Sequence, residues 1–256
     1  MSDWNSELYL KFKKERTQPA IDLANKIHFK NPEKIIDIGC GPGNSTKILK
    51  EKFKEARILG VDNSVNMIET AKKNNPDMDF KLFDASRDFD LIIEKFDIVF
   101  SNACIQWIPN HKKLLKNMMN ILVPGGIMAV QTPIQFDQPM HRIVDRVAKT
   151  PKWKEYIKFE KVFNILHEEE YFDVLSEISS DFSMWKTVYM HRMPSHESII
   201  EWYRSTGLKP YLDVLPSEKK EEFEKDVLEE VIKAYPIQKN SEVIFPFPRL
   251  FFTAIK

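Results

Sequence analysis

Three aspartates, Asp37, Asp62 and Asp84, each stand at the end of a short apolar run, and the first is followed closely by glycines at 39, 41 and 43. A carboxylate accepts hydrogen bonds from hydroxyls, and a glycine turn lets backbone approach a bound molecule with no Cβ in the way. The pattern is that of a cofactor seat. Residues 34–45, KIIDIGCGPGNS, supply its framework: Ile35, Ile36 and Ile38 suit a strand buried on both faces, the glycines a tight turn, and Ser45 the N-cap of a following helix. Taken alone, such a turn is equally a plain strand-to-helix connection.

The spacing selects the ligand. A dinucleotide fingerprint needs G-x-G-x-x-G, whereas the third glycine here comes one residue early, at Gly43, with Asn44 in the expected place. The pattern resembles motif I of the class I S-adenosylmethionine (SAM) methyltransferases, in which an acid, here Asp37, ends the first strand. Two later runs extend the resemblance. RILGVD ends in Asp62, about 20 residues beyond the glycines, as a strand–helix–strand unit requires. FKLFDA, residues 80–85, ends in Asp84 and Ala85. The resemblance implies SAM as cofactor, with the ribose hydroxyls on Asp62 and Asn63 and the adenine near Asp84 and Ala85. Asp37, Gly39, Gly41, Gly43 and Asn102 complete the expected cofactor-binding set.

These residues need a sheet to hold them. From residue 34 to residue 132 strand-like and helix-like segments alternate: Val65, Ile68 and Ala71 lie at helical spacing, as do Leu114, Leu115, Met118 and Met119. Such alternation implies an α/β fold with a mostly parallel, Rossmann-like sheet and right-handed crossovers. FDIVFSN (96–102) is the expected fourth strand and IMAVQT (127–132) the fifth. Ligands of open α/β sheets lie beyond the carboxyl ends of the strands, which places Ser101, Asn102, Gln106 and Trp107 at the site.

Before this core, Trp4, Leu8 and Phe12 line one helical side, with Tyr9 and Arg16 nearby, ahead of Pro19 and a second amphipathic run. Residues 1–30 are expected to form a helical lid and residues 31–133 the SAM-binding core. Residues 134–182 and 195–245 lack the core's texture and read as a helical cap, with helix-like segments at 139–149, 153–159, 168–178, 197–205 and 217–235. In the last of these, Phe223, Val227, Leu228, Val231 and Ile232 form an apolar stripe. Residues 183–191 and 249–255 are the expected last strands of the core sheet.

Composition excludes several partners. The 256-residue chain carries 38 basic and 38 acidic side chains, so no overall charge favours nucleic acid or an anionic membrane. Two cysteines, Cys40 and Cys104, make no disulfide framework, and no stretch has the roughly 18 apolar residues of a membrane span. The expectation is a cytoplasmic monomer acting on a small molecule, with no metal.

Further blocks narrow the resemblance: SDWN, LYLKF and ERTQPA at the start, NACIQWIPNH in the middle, EWYRSTGLKPYL, and FPFPRLFF near the end. Together they are similar to the trans-aconitate 2-methyltransferase family over nearly the whole chain. The departures are Ser6 for an expected proline, Gln18 and Lys209 for arginines, and Asn110 for aspartate. If Lys209 meets substrate, a bidentate clamp becomes a point charge. The resemblance implies transfer of the SAM methyl to a carboxylate of a small unsaturated tricarboxylic acid, giving its monomethyl ester and S-adenosylhomocysteine. It also implies an acceptor pocket of Tyr9, Arg16, Gln106, Trp107, His191 and Arg249, with Arg16 alternatively on the methionine carboxylate of SAM. No residue is expected to act as acid or base, since a carboxylate is ionised near neutrality. A hydroxyl or amine acceptor would instead need a base such as His111 or His191. A SAM-binding protein without catalysis is the other alternative.

Overall fold

The computed structural model describes residues 13–134, 136, 138–159, 163–204 and 206–256. Trp4, Leu8, Tyr9 and Phe12, and with them most of the expected lid face, lie outside the described residues. The strands are β1 (Lys34–Ile38), β2 (Arg57–Asp62), β3 (Asp79–Leu82), β4 (Phe96–Asn102), β5 (Leu122–Pro133), β6 (Phe182–Met193) and β7 (Val243–Ile255). They form one sheet in the order β3-β2-β1-β4-β5-β7-β6. The first five run parallel, and β7 is antiparallel to β5. Strand order reverses between β1 and β4, which opens a crevice at their carboxyl ends.

The centre of the sheet is apolar because both its faces are covered. Ile35, Ile36, Ile98, Val99, Phe100, Met128 and Ala129 are all fully buried. Between the strands come helices α1 (Lys13–Asn25), α2 (Asn44–Lys52), α3 (Val65–Asn74) and α4 (His111–Asn120). Then follow α5 (Pro139–Ala148), α6 (Glu168–Ile178), α7 (His196–Arg204), α8 (Lys209–Val214) and α9 (Ser217–Ala234). The chain divides into two compact units. One runs through Pro133 and adds residues 163–187 and 249–256; the other holds residues 134–162 and 188–248. β6 and β7 each pass from one unit into the other.

Several expectations are corrected. Helix α1 runs straight through Pro19 as one element, since the ring's fixed φ is helical and only one backbone bond is lost. Residues 153–159 are not a helix: they form isolated turns, anchored by the buried Trp153, whose Nε1–H donates to Asp226 at 2.8 Å. Val65 and Ile232, expected on buried stripes, are 54% and 49% exposed, at the margins of their helix faces. Helix α6, read as part of the cap, belongs with the core unit. There its Tyr171 packs at a tilt against Phe252 of β7 and bonds His111 of α4. The fifth strand begins earlier than expected, at Leu122, and carries Pro124 and Gly125 within it. Strand β3 stops at Leu82, which leaves Asp84 in the loop beyond.

Candidate functional site

The turn after β1 is built by its glycines and by two carboxylates. Gly39, Gly41 and Gly43 all have positive φ, of 75°, 53° and 90°. A Cβ at Gly39 would lie 2.2 Å from the Sγ of Cys104, and one at Gly43 would lie 2.5 Å from the side-chain nitrogen of Asn75. At Gly41 an added Cβ meets nothing within 4 Å, so the turn is open there. The Gly39 and Cys40 amides donate to Val61 O at 2.8 and 3.0 Å, tying the turn to β2.

Asp62 completes that tie. Its Oδ2 accepts the Gly41 amide and its Oδ1 the Ser64 amide, both at 3.0 Å. Asp62 thus ties the glycine turn to the loop that opens α3. Asn63 is the next residue, ahead of Ser64, whose hydroxyl caps α3 by accepting from Met67 N.

Asp37 has a different task. It is fully buried, and its Oδ2 accepts the hydroxyls of Ser45 and Thr46, both at 2.7 Å. Burial raises its pKa to about 6, against the lowering effect of those two bonds. Ser45 is thus not the N-cap. That position falls to the left-handed Gly43, with no side-chain cap, because the buried carboxylate takes the hydroxyls of the first helical turn.

Asp84 accepts the Ser86 amide and hydroxyl and pairs with Arg87 at 3.7 Å. Despite some desolvation, these partners hold its carboxyl below the usual range. Ala85, next to it, is buried. Asn102 closes β4, and its buried Oδ1 has no hydrogen-bond partner among the described residues. Burial pushes the Cys40 and Cys104 thiols up, so both stay neutral. These residues fit an adenosyl cofactor: a turn open at Gly41, a carboxylate at the end of β2 beside that turn, and an unanswered buried carbonyl on Asn102.

Of the described residues expected at the acceptor, Arg16, Gln106, His191 and Arg249 are buried and Trp107 is half-buried, and His191 belongs to a different unit from the rest. Strand register decides which side chains share a sheet face. Asp37 is level with Phe100, Asn102 with Gln131, Gln131 with Phe251, and Pro133 with Arg249. Asp37, Asn102, Gln131 and Arg249 therefore face the side covered by α2. Helix α1 packs against both α2 and β5, so it covers the same side. It brings Arg16, 7% exposed, to the face that holds Arg249, 5% exposed. Phe251 stacks on Trp185 of β6 at 5.2 Å and 10°, with the Lys26 ammonium 5.7 Å from the Trp185 ring.

Gln106 and Trp107 lie on a single-turn helix, Ile105–Trp107, just beyond β4. Gln106 Nε2 donates to Ala103 O at 2.8 Å, and its backbone carbonyl accepts Asn164 N at 2.9 Å. Trp107 packs on Phe163 at 4.8 Å. His111 anchors this turn from below, with Nε2 2.8 Å from Ile105 O and Nδ1 2.6 Å from the Tyr171 hydroxyl. Since a carbonyl can only accept, Nε2 carries the proton and Nδ1 accepts from Tyr171. With both nitrogens engaged, His111 is no base.

His191 belongs to the other unit. There it sits among rings: Trp202 at 4.8 Å, Phe247 at 6.1 Å and Tyr189 at 6.2 Å. Lys209 is in that unit too, paired with Asp213 at 2.9 Å within α8. Of the other departures, Gln18 bonds Asp22 on the exposed side of α1. Asn110 is the left-handed N-cap of α4, at φ 56°, a conformation asparagine adopts readily. Sequence reading passed over Gln131 and Thr17, whose side-chain polar atoms are buried. The available signal was a lone glutamine inside the apolar run IMAVQT.

Comparison with known proteins agrees with this geometry. Residues 29–206 match the family model described as a methyltransferase domain. The chain is 37% identical over 254 residues to a trans-aconitate 2-methyltransferase of Escherichia coli, covering 99% of this chain and 98% of that protein. It is 36% identical over 256 residues to one of Acidovorax sp., with the same coverage. Among solved structures it resembles a Haemonchus contortus phosphoethanolamine N-methyltransferase with S-adenosylhomocysteine bound (TM-score 0.59, 18% identity, 95% of this chain and 52% of that one). It also resembles the plantazolicin methyltransferase BamL (TM-score 0.55, 17% identity, 98% and 90%). The full-length similarity and the class I fold lead to one conclusion: the chain belongs to the trans-aconitate 2-methyltransferase family of SAM-dependent class I methyltransferases.

Proposed function

We propose that the chain methylates one carboxylate of trans-aconitate, yielding the monomethyl ester and S-adenosylhomocysteine. The observation that carries this reading is similarity to relatives of that name over 99% of the chain. The two buried arginines on the α1 and α2 side of the sheet support it, because an acceptor with several carboxylates needs cations that water does not screen.

In this reading the turn at Gly39–Gly43 seats the methionyl part of the cofactor, Asp62 and Asn63 hold its ribose, and Asp84 and Ala85 border its adenine. Bound SAM supplies an electrophilic methyl on a sulfonium. The chain's part is to hold the acceptor in line with that methyl. Arg16 and Arg249 grip the carboxylates that do not react, and Gln106 and Trp107, with Tyr9, wall the pocket. His191 is assigned to the acceptor on the resemblance alone.

No general base is required. The acceptor arrives ionised, and positioning with exclusion of water can supply ~7 to 11 kcal/mol of the barrier. Its nucleophilic charge is neutralised as the methyl moves, so a dry site favours the transfer.

The test is incubation of the protein with methyl-labelled SAM and a panel of di- and tricarboxylates, followed by mild alkali. Labelled methanol released from the trans-aconitate product is expected. An alkali-stable product, or turnover only with a hydroxyl or amine acceptor, would overturn the reading. The protein is expected to work as a cytoplasmic monomer. Among the described residues no helix is long and apolar enough to cross a membrane.

A further inference from the structure

Among the described residues three glutamines are buried, and they differ in one respect. Gln106 donates to Ala103 O at 2.8 Å and accepts from the Thr132 hydroxyl at 3.4 Å. Gln138 donates to Pro246 O at 3.2 Å and accepts from the Tyr203 hydroxyl at 2.9 Å. Each spans two structural elements, as a buried amide that serves the fold should. Gln131 is the most deeply buried, at 0% exposure, yet neither its Nε2 nor its Oε1 has a hydrogen-bond partner among the described residues.

A carboxamide has two donor hydrogens and a two-lone-pair acceptor, and burying it unanswered is unfavourable. An apolar side chain of similar volume would pack in its place without that penalty. The position of Gln131 shows what could answer it. It lies near the carboxyl end of β5, level with Asn102 on one side and Phe251 on the other, on the face that also presents Arg249. Three more polar atoms on this side of the sheet are buried without a partner among the described residues, Asp37 Oδ1, Asn102 Oδ1 and Thr17 Oγ1, the last on helix α1 beside Arg16. An unanswered amide on a face that carries a buried arginine suits a hydrated carboxylate, which offers an acceptor oxygen together with its bound water.

We propose that Gln131 binds the acceptor, its side-chain N–H donating to a carboxylate oxygen of the polycarboxylate, on the sheet face that carries Arg249. The inference rests on the proposed polycarboxylate acceptor. It adds a neutral donor to the cationic ones, which fixes the orientation of a carboxylate without adding charge.

The test compares wild type with Gln131→Met, which keeps volume and loses both polar groups, and with Gln131→Glu, which keeps shape and places a carboxylate at the site. Calorimetry of trans-aconitate binding with S-adenosylhomocysteine present reads affinity without turnover, and steady-state kinetics read the KM of each substrate. Gln131→Met is expected to weaken trans-aconitate binding and raise its KM by roughly 10-fold, with the KM for SAM changed less than about twofold. Its melting temperature should equal or exceed that of wild type, because no bond within the protein is lost. Gln131→Glu should weaken acceptor binding further, by like-charge repulsion.

Equal acceptor affinity in wild type and Gln131→Met would overturn the role of Gln131 and leave the functional reading intact. A wild type that binds no polycarboxylate at all would overturn both. If Gln131→Met proves unstable, unchanged acceptor affinity in folded Gln131→Glu would be decisive against the proposal.

Discussion

The turn after β1 and the far end of β5 are both buried and polar, but they satisfy their polar groups in opposite ways. Around the turn the protein answers most of its own polar groups: Asp62 holds the Gly41 and Ser64 amides, and Asp37 Oδ2 holds the Ser45 and Thr46 hydroxyls, which leaves Asp37 Oδ1 as the one atom of these two carboxylates that is buried without a partner among the described residues. Toward the end of β5 the Gln131 amide has no partner among the described residues, on a face that also carries buried Arg249. The first region is set before a ligand arrives. The second, as proposed, reaches its full complement of bonds only with one. In the proposed reading, a preset cofactor seat beside an acceptor seat completed by the acceptor suits an enzyme that must bind one constant molecule and discriminate among many small acids.

The sharpest way to break the contrast is to unsettle the preset half. Gly39→Ala places a Cβ against Cys104 at a backbone φ of 75°. Left-handed strain and overpacking together are expected to cost about 2 to 5 kcal/mol, seen as lost SAM affinity or lost stability. Adding Cys104→Gly should recover the packing part only. Full SAM affinity in Gly39→Ala alone would show that the turn is more pliant than its hydrogen bonds imply.

A pair of substitutions tests whether the two halves divide the labour. Asp62→Ala should weaken SAM binding by about 1 to 3 kcal/mol and leave the KM for trans-aconitate nearly unchanged. Arg249→Ala should do the reverse, raising the tricarboxylate KM about 10- to 100-fold, and raising it more than for a monocarboxylate analogue. Crossed effects, with Arg249 governing SAM, would merge the halves into one site.

The smallest effect concerns the cost of presetting. Burial pushes the Asp37 carboxyl up to about 6, from an ordinary value of 3.8. Between those values the folded chain keeps a proton that the unfolded chain releases, so this group's contribution to stability falls as pH rises. Asp37→Asn has no such dependence. Relative to the variant, wild type should lose roughly 1.4 kcal/mol of stability between about pH 5 and pH 7.5, read by urea unfolding at each pH. A gap independent of pH would mean that Asp37 is not held in a desolvated pocket.

The sequence by itself determined the cofactor half, because its parts are local. A β-branched run, a glycine turn and an acid at each strand end are consecutive residues, and each local signal implies its own geometry. Hence Asp37, Asp62 and the glycines could be located from spacing, and the parallel sheet from the alternation that follows. Only the tertiary structure decided the other half. Arg16, Gln131 and Arg249 come from three distant segments, and what aligns the last two is strand register, a property of pairing that no single stretch encodes.

The same reason explains the local misreadings. Ser45 has the composition of a cap, yet the buried Asp37, eight residues earlier, claims its hydroxyl. Residues 153–159 have helical composition, but the burial of Trp153 and its bond to Asp226 hold them as turns. Gln131 was legible only as a polar residue in an apolar strand. That its amide is left unanswered, while Gln106 and Gln138 are satisfied, depends on which atoms the fold brings within hydrogen-bonding reach.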